Sequence, residues 1–388
     1  MRILYIHNNY ARPSGEEHAS SSLAALLEEH GHKVEFFRRS SAEIANSTAG
    51  KVKAFFTGIS NPMAARALAR KLDEFQPDLV QVQNLYPLLS PSIFHPIKKR
   101  KIPVVMRCPN YRLFCPNGLC YNGKVCEKCF GGREWNCFLH NCAGSRFKSF
   151  GYAVRGWAAR VSRRILDNVD MFIVQTEFQK QKFIQQGIPE EKIGIVPGIM
   201  PQIKPAEEWT PGKNVTFVGR VSEEKGIDEF LEAAKRLPEI SFAVAGSCDA
   251  MPNITTQASD NVKFYGFLRG EELRQAYLEA RMILVPSKWY EGFPNVIVMG
   301  MMLERPIVTA AIGATGSIIS DGIDGLQFRP GNVDELCEKI ATLYPNIERC
   351  RQMGEKGRKQ AEKLYSRETI YRTLVQIYQK AEKHNAQR

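Results

Sequence analysis

The chain of 388 residues contains no apolar run near the eighteen or so residues that a membrane-spanning helix requires. An integral helical membrane protein is therefore not expected. The opening "MRILYIHNNY" reads as a strand and lacks the long apolar core and cleavage site of a signal peptide, so a cytoplasmic location is expected. Short internal repeats and low-complexity tracts are also missing, which argues against solenoid and disordered classes. Acid is absent from two long stretches, Ile44 to Leu72 and Trp135 to Leu166. The first 200 residues carry 28 Lys+Arg against 16 Asp+Glu, whereas the remainder balances at 25 of each, so one half holds the whole formal charge of +12.

Hydrophobic residues at 44% and charged residues at 24% are those of a globular protein, and the length suits two cores rather than one. Strands are expected at 2–8, 33–37, 78–83, 102–106, 171–176 and 192–197, alternating with helical patterns that include 18–30. A proline-rich stretch, 198–213, reads as a linker. The alternation then restarts, with strands at 214–219, 241–246, 262–266, 282–287 and 306–310. Helical stretches are expected near 226–237, 270–280, 294–303 and 333–343. This predicts an α/β protein of two doubly wound, Rossmann-like domains, 1–197 and 198–366, facing a central cleft at the carboxyl ends of their sheets. An amphipathic tail helix, about 367–388, is expected to pack back on the first domain.

Three loops carry chemistry. In "FVGRVSEEKGIDEF", Arg220 follows a strand and Lys225 precedes a helix, with Gly226 permitting a tight turn. Two cations at a helix start suit a diphosphate and can stabilise its departure without a metal. In "YEGFPN", Glu291 is an acceptor suited to sugar hydroxyls, and the backbone at Asn295 opens a helix. Read alone, Arg220 and Lys225 are equally two surface cations on a loop, and Glu291 has a helix-dipole carboxylate as its other reading. In "NNYARPSGEEH", Ser14 is placed to cap a helix and Gly15 to let backbone approach a ligand; an ordinary βα turn fits the loop as well.

Together these motifs, with "PSKWYEGFPN", "GIDGLQFRPG", "NLYPLLSP" and "NYRLFCPNG…GKVCEKC", resemble the family 4 (group 1) glycosyltransferases of GT-B fold, and a subgroup with a cysteine-rich insertion in the N-terminal domain. The resemblance implies a retaining transfer from a nucleotide-sugar co-substrate, with no catalytic metal. It implies that Arg220 and Lys225 hold the diphosphate, with Gly15 over it from the other domain, and that Glu291 touches the donor sugar. The implied donor-side set is completed by Ser14, Gly219, Gly292, Phe293, Pro294 and Asn295, with Asn110 and Tyr111 on the acceptor side. The chain departs from the family where a second Glu usually holds the ribose; here that position is Met299, a weak acceptor. Pro109, Gln81 and Gln83 stand where histidines are common. A non-catalytic GT-B binding subunit and a sugar-nucleotide epimerase remain as rival readings.

Seven of the ten cysteines fall within 108–142. The spacing of Cys126, Cys129, Cys137 and Cys142 is close to a structural zinc pattern, with Cys115 as alternative ligand, and a reduced cysteine-rich loop is the other reading. The segment 146–166 mixes six Arg/Lys with Phe147, Phe150, Tyr152 and Trp157. That composition suits an anionic membrane surface, and no nucleic-acid motif accompanies it. A solvated basic helix with a buried aromatic face is the alternative. The expectation is a peripheral protein on the inner face of the cell membrane, extending a glycan or lipid-linked acceptor in bacterial surface polysaccharide assembly.

Overall fold

The computed structural model describes residues 1–10, 15–44, 48–201 and 208–388. They divide into two compact units. Unit 1 comprises Met1–Cys120, Cys126–Ile199 and Arg367–Arg388; unit 2 comprises Tyr121–Val125 and Met200–Ser366.

Unit 1 begins with β1 (Arg2–Asn9), α1 (Gly15–Glu29), β2 (Lys33–Ser40), α2 (Thr48–Ile59), α3 (Pro62–Phe75) and β3 (Leu79–Asn84). It continues through α4 (Phe94–Lys99), β4 (Val104–Arg107), α5 (Trp135–Leu139), α6 (Arg146–Val161), β5 (Met171–Val174), α7 (Glu177–Gln185) and β6 (Ile193–Ile195). Among the described residues its strands form one parallel sheet in the order β2-β1-β3-β4-β5-β6. β3 is buried along its whole length, as parallel strands covered on both faces must be.

Unit 2 holds β7 (Asn214–Val218), α8 (Ile227–Arg236), β8 (Ser241–Ala245), β9 (Val262–Gly266), α9 (Gly270–Leu278) and β10 (Ala280–Val285). Then come α10 (Asn295–Met302), β11 (Ile307–Ala310), α11 (Gly313–Ile318), β12 (Gly325–Phe328), α12 (Val333–Leu343) and α13 (Ile347–Tyr365). Its parallel sheet runs β12-β11-β10-β7-β8-β9. β12, α11 and α13 were not expected from the sequence.

The last helix, α14 (Arg367–Ala386), belongs to unit 1. Its Ile370, Leu374, Ile377, Tyr378 and Ala381 lie in one apolar cluster with Ile3 and Tyr5 of β1, Leu23 and Leu27 of α1, and Val105 of β4. The spacing of those five residues is the i, i+4, i+7, i+8, i+11 of one helical face. No helix among the described residues is long and apolar enough to cross a membrane.

Candidate functional site

In unit 2 the chain leaves β7 outward to β8 and β9, then crosses back to β10, β11 and β12. The reversal places a topological switch point between β7 and β10, outside whose carboxyl ends ligands bind in open α/β sheets. The loops leaving these two strands carry the three residues singled out by sequence. Gly226, in the turn after β7, has φ +76°, and a Cβ there would lie 1.9 Å from the Pro286 carbonyl oxygen. Only glycine lets this turn seat against the end of β10. The result is that Lys225 reaches the β10 loop: its Nζ donates to Glu291 Oε1 at 2.6 Å, and Ser287 Oγ donates to the same oxygen at 2.9 Å. Glu291 is 5% exposed, and the Lys225 ammonium also lies 5.4 Å from the centre of the Trp289 ring.

Arg220 is arranged differently. Its side chain is 61% exposed and its guanidinium pairs with Glu224, one turn along the loop. The structure thus joins Lys225 to Glu291, while Arg220 stands apart as an exposed cation after Gly219, whose φ is +142°. In the Glu291–Asn295 turn, Gly292 and Phe293 are half-buried, Pro294 is buried and Asn295 is exposed. The Asn295 N–H donates to the Phe293 carbonyl at 3.0 Å, so this amide is already engaged within the turn. Phe293 packs edge-on against Tyr365 at 5.6 Å. Met299 is half-buried and packs against the apolar cluster that includes Val285, Ile297 and Ile307. Its thioether belongs to that packing.

Sequence reasoning passed over Lys288, Asp228 and Glu229. Lys288 pairs with Asp228 and lies 3.8 Å from Glu229 Oε1. Burial pushes the Glu229 carboxyl up from 4.5 to about 7, against the opposing pull of Lys288. The signal was weak, because an acid in the first turn of a helix is ordinary dipole chemistry.

In unit 1, Gly15 opens α1, and Ser14 lies outside the described residues. Asn110 Nδ2 donates to Glu16 Oε1 at 2.8 Å, and its Oδ1 accepts from the Arg112 N–H at 3.0 Å. Tyr111 is 1% exposed, so its ring serves the interior rather than a ligand surface. Gln81 is buried and accepts from the Tyr378 hydroxyl of α14.

The cysteine segment departs from its zinc expectation. Among the described residues, no three Cys, His, Asp or Glu side chains gather so as to hold a metal ion. All ten cysteines are free thiols; Cys115 lies beside Cys120 and Cys129, which hold its thiol below the usual range, and burial with the neighbouring Cys142 pushes the Cys137 thiol up. Cys129 and Cys137 also pack with Ala153 of α6 in a small apolar cluster, with Cys142 against it. Cys126 is not a member of that cluster.

Two family models match the chain: "Glycosyl transferase 4-like domain" over residues 14–198 and "Glycosyl transferases group 1" over residues 212–346. The chain belongs to the group 1 glycosyltransferases. It is 27% identical over 173 residues to the alpha-D-kanosaminyltransferase of Streptomyces kanamyceticus, covering 42% of this chain and 45% of that protein. It is 25% identical over 245 residues to a 42.6 kDa protein of the Klebsiella pneumoniae cps region, covering 62% and 59%. The matches span about half the length of these curated relatives. Among solved structures it is similar to Anabaena HepE in complex with UDP and glucose, with a TM-score of 0.66 at 16% identity over 98% of this chain and 99% of that one. This likeness, with the two parallel sheets, makes the fold GT-B.

Proposed function

We propose that the protein transfers a sugar, with retention, from a nucleoside-diphosphate donor held by unit 2 to a glycan or lipid-linked acceptor at a membrane. The observation that carries this reading is the Lys225–Glu291 pair at the β7/β10 switch point, with Arg220 exposed on the same loop. Lys225 and Arg220 bind the diphosphate and offset the charge that develops on it as the glycosidic bond breaks. Glu291, already held by Ser287 and Lys225, is oriented to accept from hydroxyls of the transferred sugar. The UDP and glucose named for Anabaena HepE support a nucleotide sugar as donor, and the cps-region relative supports a role in surface polysaccharide assembly. The acceptor is placed on the inner face of the cell membrane, where the basic, aromatic-rich half of the chain docks.

Calorimetric titration with UDP and GDP tests the donor site. Arg220→Ala is expected to weaken binding of the preferred diphosphate by about 1.5–3 kcal/mol, the range of a charge-assisted hydrogen bond. Unchanged affinity removes the donor from this loop. The non-catalytic reading is favoured by Met299, whose packing leaves the ribose without the family's second carboxylate. It prevails if the diphosphate binds but no sugar nucleotide is transferred or hydrolysed.

A further inference from the structure

Unit 1 has a switch point of its own. β1 pairs with β2 on one side and β3 on the other, and the sheet then continues to β4, so the reversal lies between β1 and β3. A cavity of about 500 Å³ opens at the carboxyl ends of these strands. Tyr10 follows β1, Tyr86 follows β3 and Arg112 follows β4; α2 and α6 supply the opposite wall. The two helices approach closely at Gly151, where a Cβ would lie 3.2 Å from the Phe55 ring.

The lining is cationic and aromatic. Arg112, Lys148 and Arg155 face the cavity, and among the described residues no carboxylate lines it. The Arg155 guanidinium lies 4.2 Å from the centre of the Tyr86 ring and 4.5 Å from that of Tyr152, and its Nη2 donates to the Pro116 carbonyl at 3.1 Å. Arg112 Nη1 donates to the Tyr10 hydroxyl and to Asn84 Oδ1, each at 3.2 Å. Arg112 reaches a carboxylate only through the Tyr10 hydroxyl, which donates to Glu16 Oε2 at 2.8 Å, and the Glu16 charge helps hold the Arg112 pKa up against burial; Arg155 touches no carboxylate among the described residues. Burial lowers the Arg155 pKa, the mark of a desolvated cation without a counter-ion. A partly desolvated guanidinium facing a cavity is stabilised by an arriving anion, and guanidinium forks match phosphate geometry.

The mouth identifies the kind of anion. Pocket residues 147, 148, 151, 152 and 155 lie on one face of α6, at helical spacing. Phe150, Trp157 and Val161 continue as an exposed strip on the adjoining face, and Phe147, 56% exposed, belongs to both. Arg146 is exposed beside them, and the sequence from Trp135 to Leu166 holds no acid. Exposed aromatics among basic residues suit the interface of an anionic bilayer. We propose that this cavity takes the phosphate head of a membrane lipid, with Arg112 and Arg155 as its anion ligands and the aromatic walls covering the first part of its chain. The inference rests on the membrane-acceptor reading above and gives that acceptor a site and a chemistry.

The test uses the full chain and two probes. Dodecyl phosphate below its micelle concentration is expected to bind at least tenfold tighter than inorganic phosphate, and Arg155→Gln is expected to abolish that advantage. Lys148→Gln at the mouth serves the same purpose should Arg155→Gln fail to fold. Vesicles of phosphatidylcholine with phosphatidic acid are expected to bind better than vesicles with phosphatidylglycerol at matched charge, because only the former offers a free phosphate monoester. Arg146→Glu is expected to weaken both vesicle types while leaving dodecyl phosphate affinity intact. Equal affinity for dodecyl and inorganic phosphate, or equal binding to the two vesicles, overturns the proposal and reduces this face to surface charge. Nucleoside diphosphate binding, read in the same samples, separates the two failures. An intact donor site with no lipid-phosphate preference sinks the cavity alone, and the reverse result sinks the transferase reading alone.

Discussion

At the scale of single residues, the decisive contact is between Lys225 and Glu291, 66 positions apart in sequence. Glu291 is nearly buried, and without Lys225 it keeps only the Ser287 hydroxyl on the same oxygen. Lys225→Met is therefore expected to destabilise the ligand-free protein by about 1–3 kcal/mol, the penalty of a buried group left short of partners. Adding Glu291→Gln should return part of that loss, giving a coupling of about 0.5–3 kcal/mol in a denaturation double-mutant cycle. Additive effects would mean that the pair is not formed in solution. Arg220→Ala should leave the thermal transition unmoved, because that side chain is exposed. Glu229 gives a second residue-scale expectation. Its carboxyl is raised by burial from 4.5 to about 7, so between these values the folded state holds a proton that the unfolded state has released. Stability then falls as pH rises through that window, by at most about 3 kcal/mol. Glu229→Gln should match the parent near pH 4.5 and become progressively more stable than it towards pH 8. Parallel stability curves for the two proteins would contradict the burial argument.

At the scale of elements, the site depends on how closely the β7–α8 turn lies against β10. Gly226→Ala adds a Cβ that meets the Pro286 carbonyl and forces an L side chain to φ +76°. The expected loss is at least about 1–3 kcal/mol from backbone strain alone, with diphosphate affinity falling in parallel because Lys225 moves with the turn. A crystal structure of the variant with Lys225 still on Glu291 would refute that link. Much of this level was legible in the sequence. Apolar runs such as "NVTFV" and "SFAVA" read directly as buried strands, and the glycine between Lys225 and the helix marked the turn. α13 was missed because it is highly polar and interrupted by glycines. Gly354 is needed there because a Cβ would meet the Glu304 carbonyl oxygen at 2.1 Å, and pairs such as Arg351–Glu355 and Arg358–Glu362 support the exposed face. β12, "GLQF", was missed because a glycine and a glutamine leave it only two large apolar side chains, unlike "MFIV" of the same length. The residues of the candidate site were visible as motifs. The pairing of Lys225 with Glu291, the seclusion of Tyr111 and the want of a metal-holding group among the described cysteines were not, since each depends on contacts that spacing alone does not encode.

At the scale of the whole molecule, unit 1 is discontinuous. Its core is completed by α14, which the chain supplies only after all of unit 2. Four large apolar or aromatic side chains and one alanine of α14 are buried in that core: Ile370, Leu374, Ile377, Tyr378 and Ala381. The closeness is visible at Gly194 of β6, where a Cβ would fall 2.4 Å from the Ile377 side chain. Burying a large apolar side chain is worth about 1.5–3 kcal/mol, so the helix contributes an amount comparable to the total stability of a typical domain, about 5–15 kcal/mol. Polar contacts add specificity: Arg367 pairs with Glu29 at 2.6 Å, and the Tyr378 hydroxyl meets Gln81 in the interior of the sheet. Residues 1–199 expressed alone are therefore expected to lack a cooperative thermal transition and to bind a hydrophobic dye. Adding a synthetic peptide of residues 367–388 should restore the transition, with a midpoint that rises with peptide concentration, as linkage requires. A cooperative transition of residues 1–199 without the peptide would show that α14 caps a core already complete. Restoration by a peptide carrying Leu374→Asp and Ile377→Asp would show that the apolar face is not what binds. The arrangement makes the stability of unit 1 conditional on a segment that follows unit 2 in the chain, so unit 1 is expected to reach its folded state after unit 2 rather than in order of synthesis.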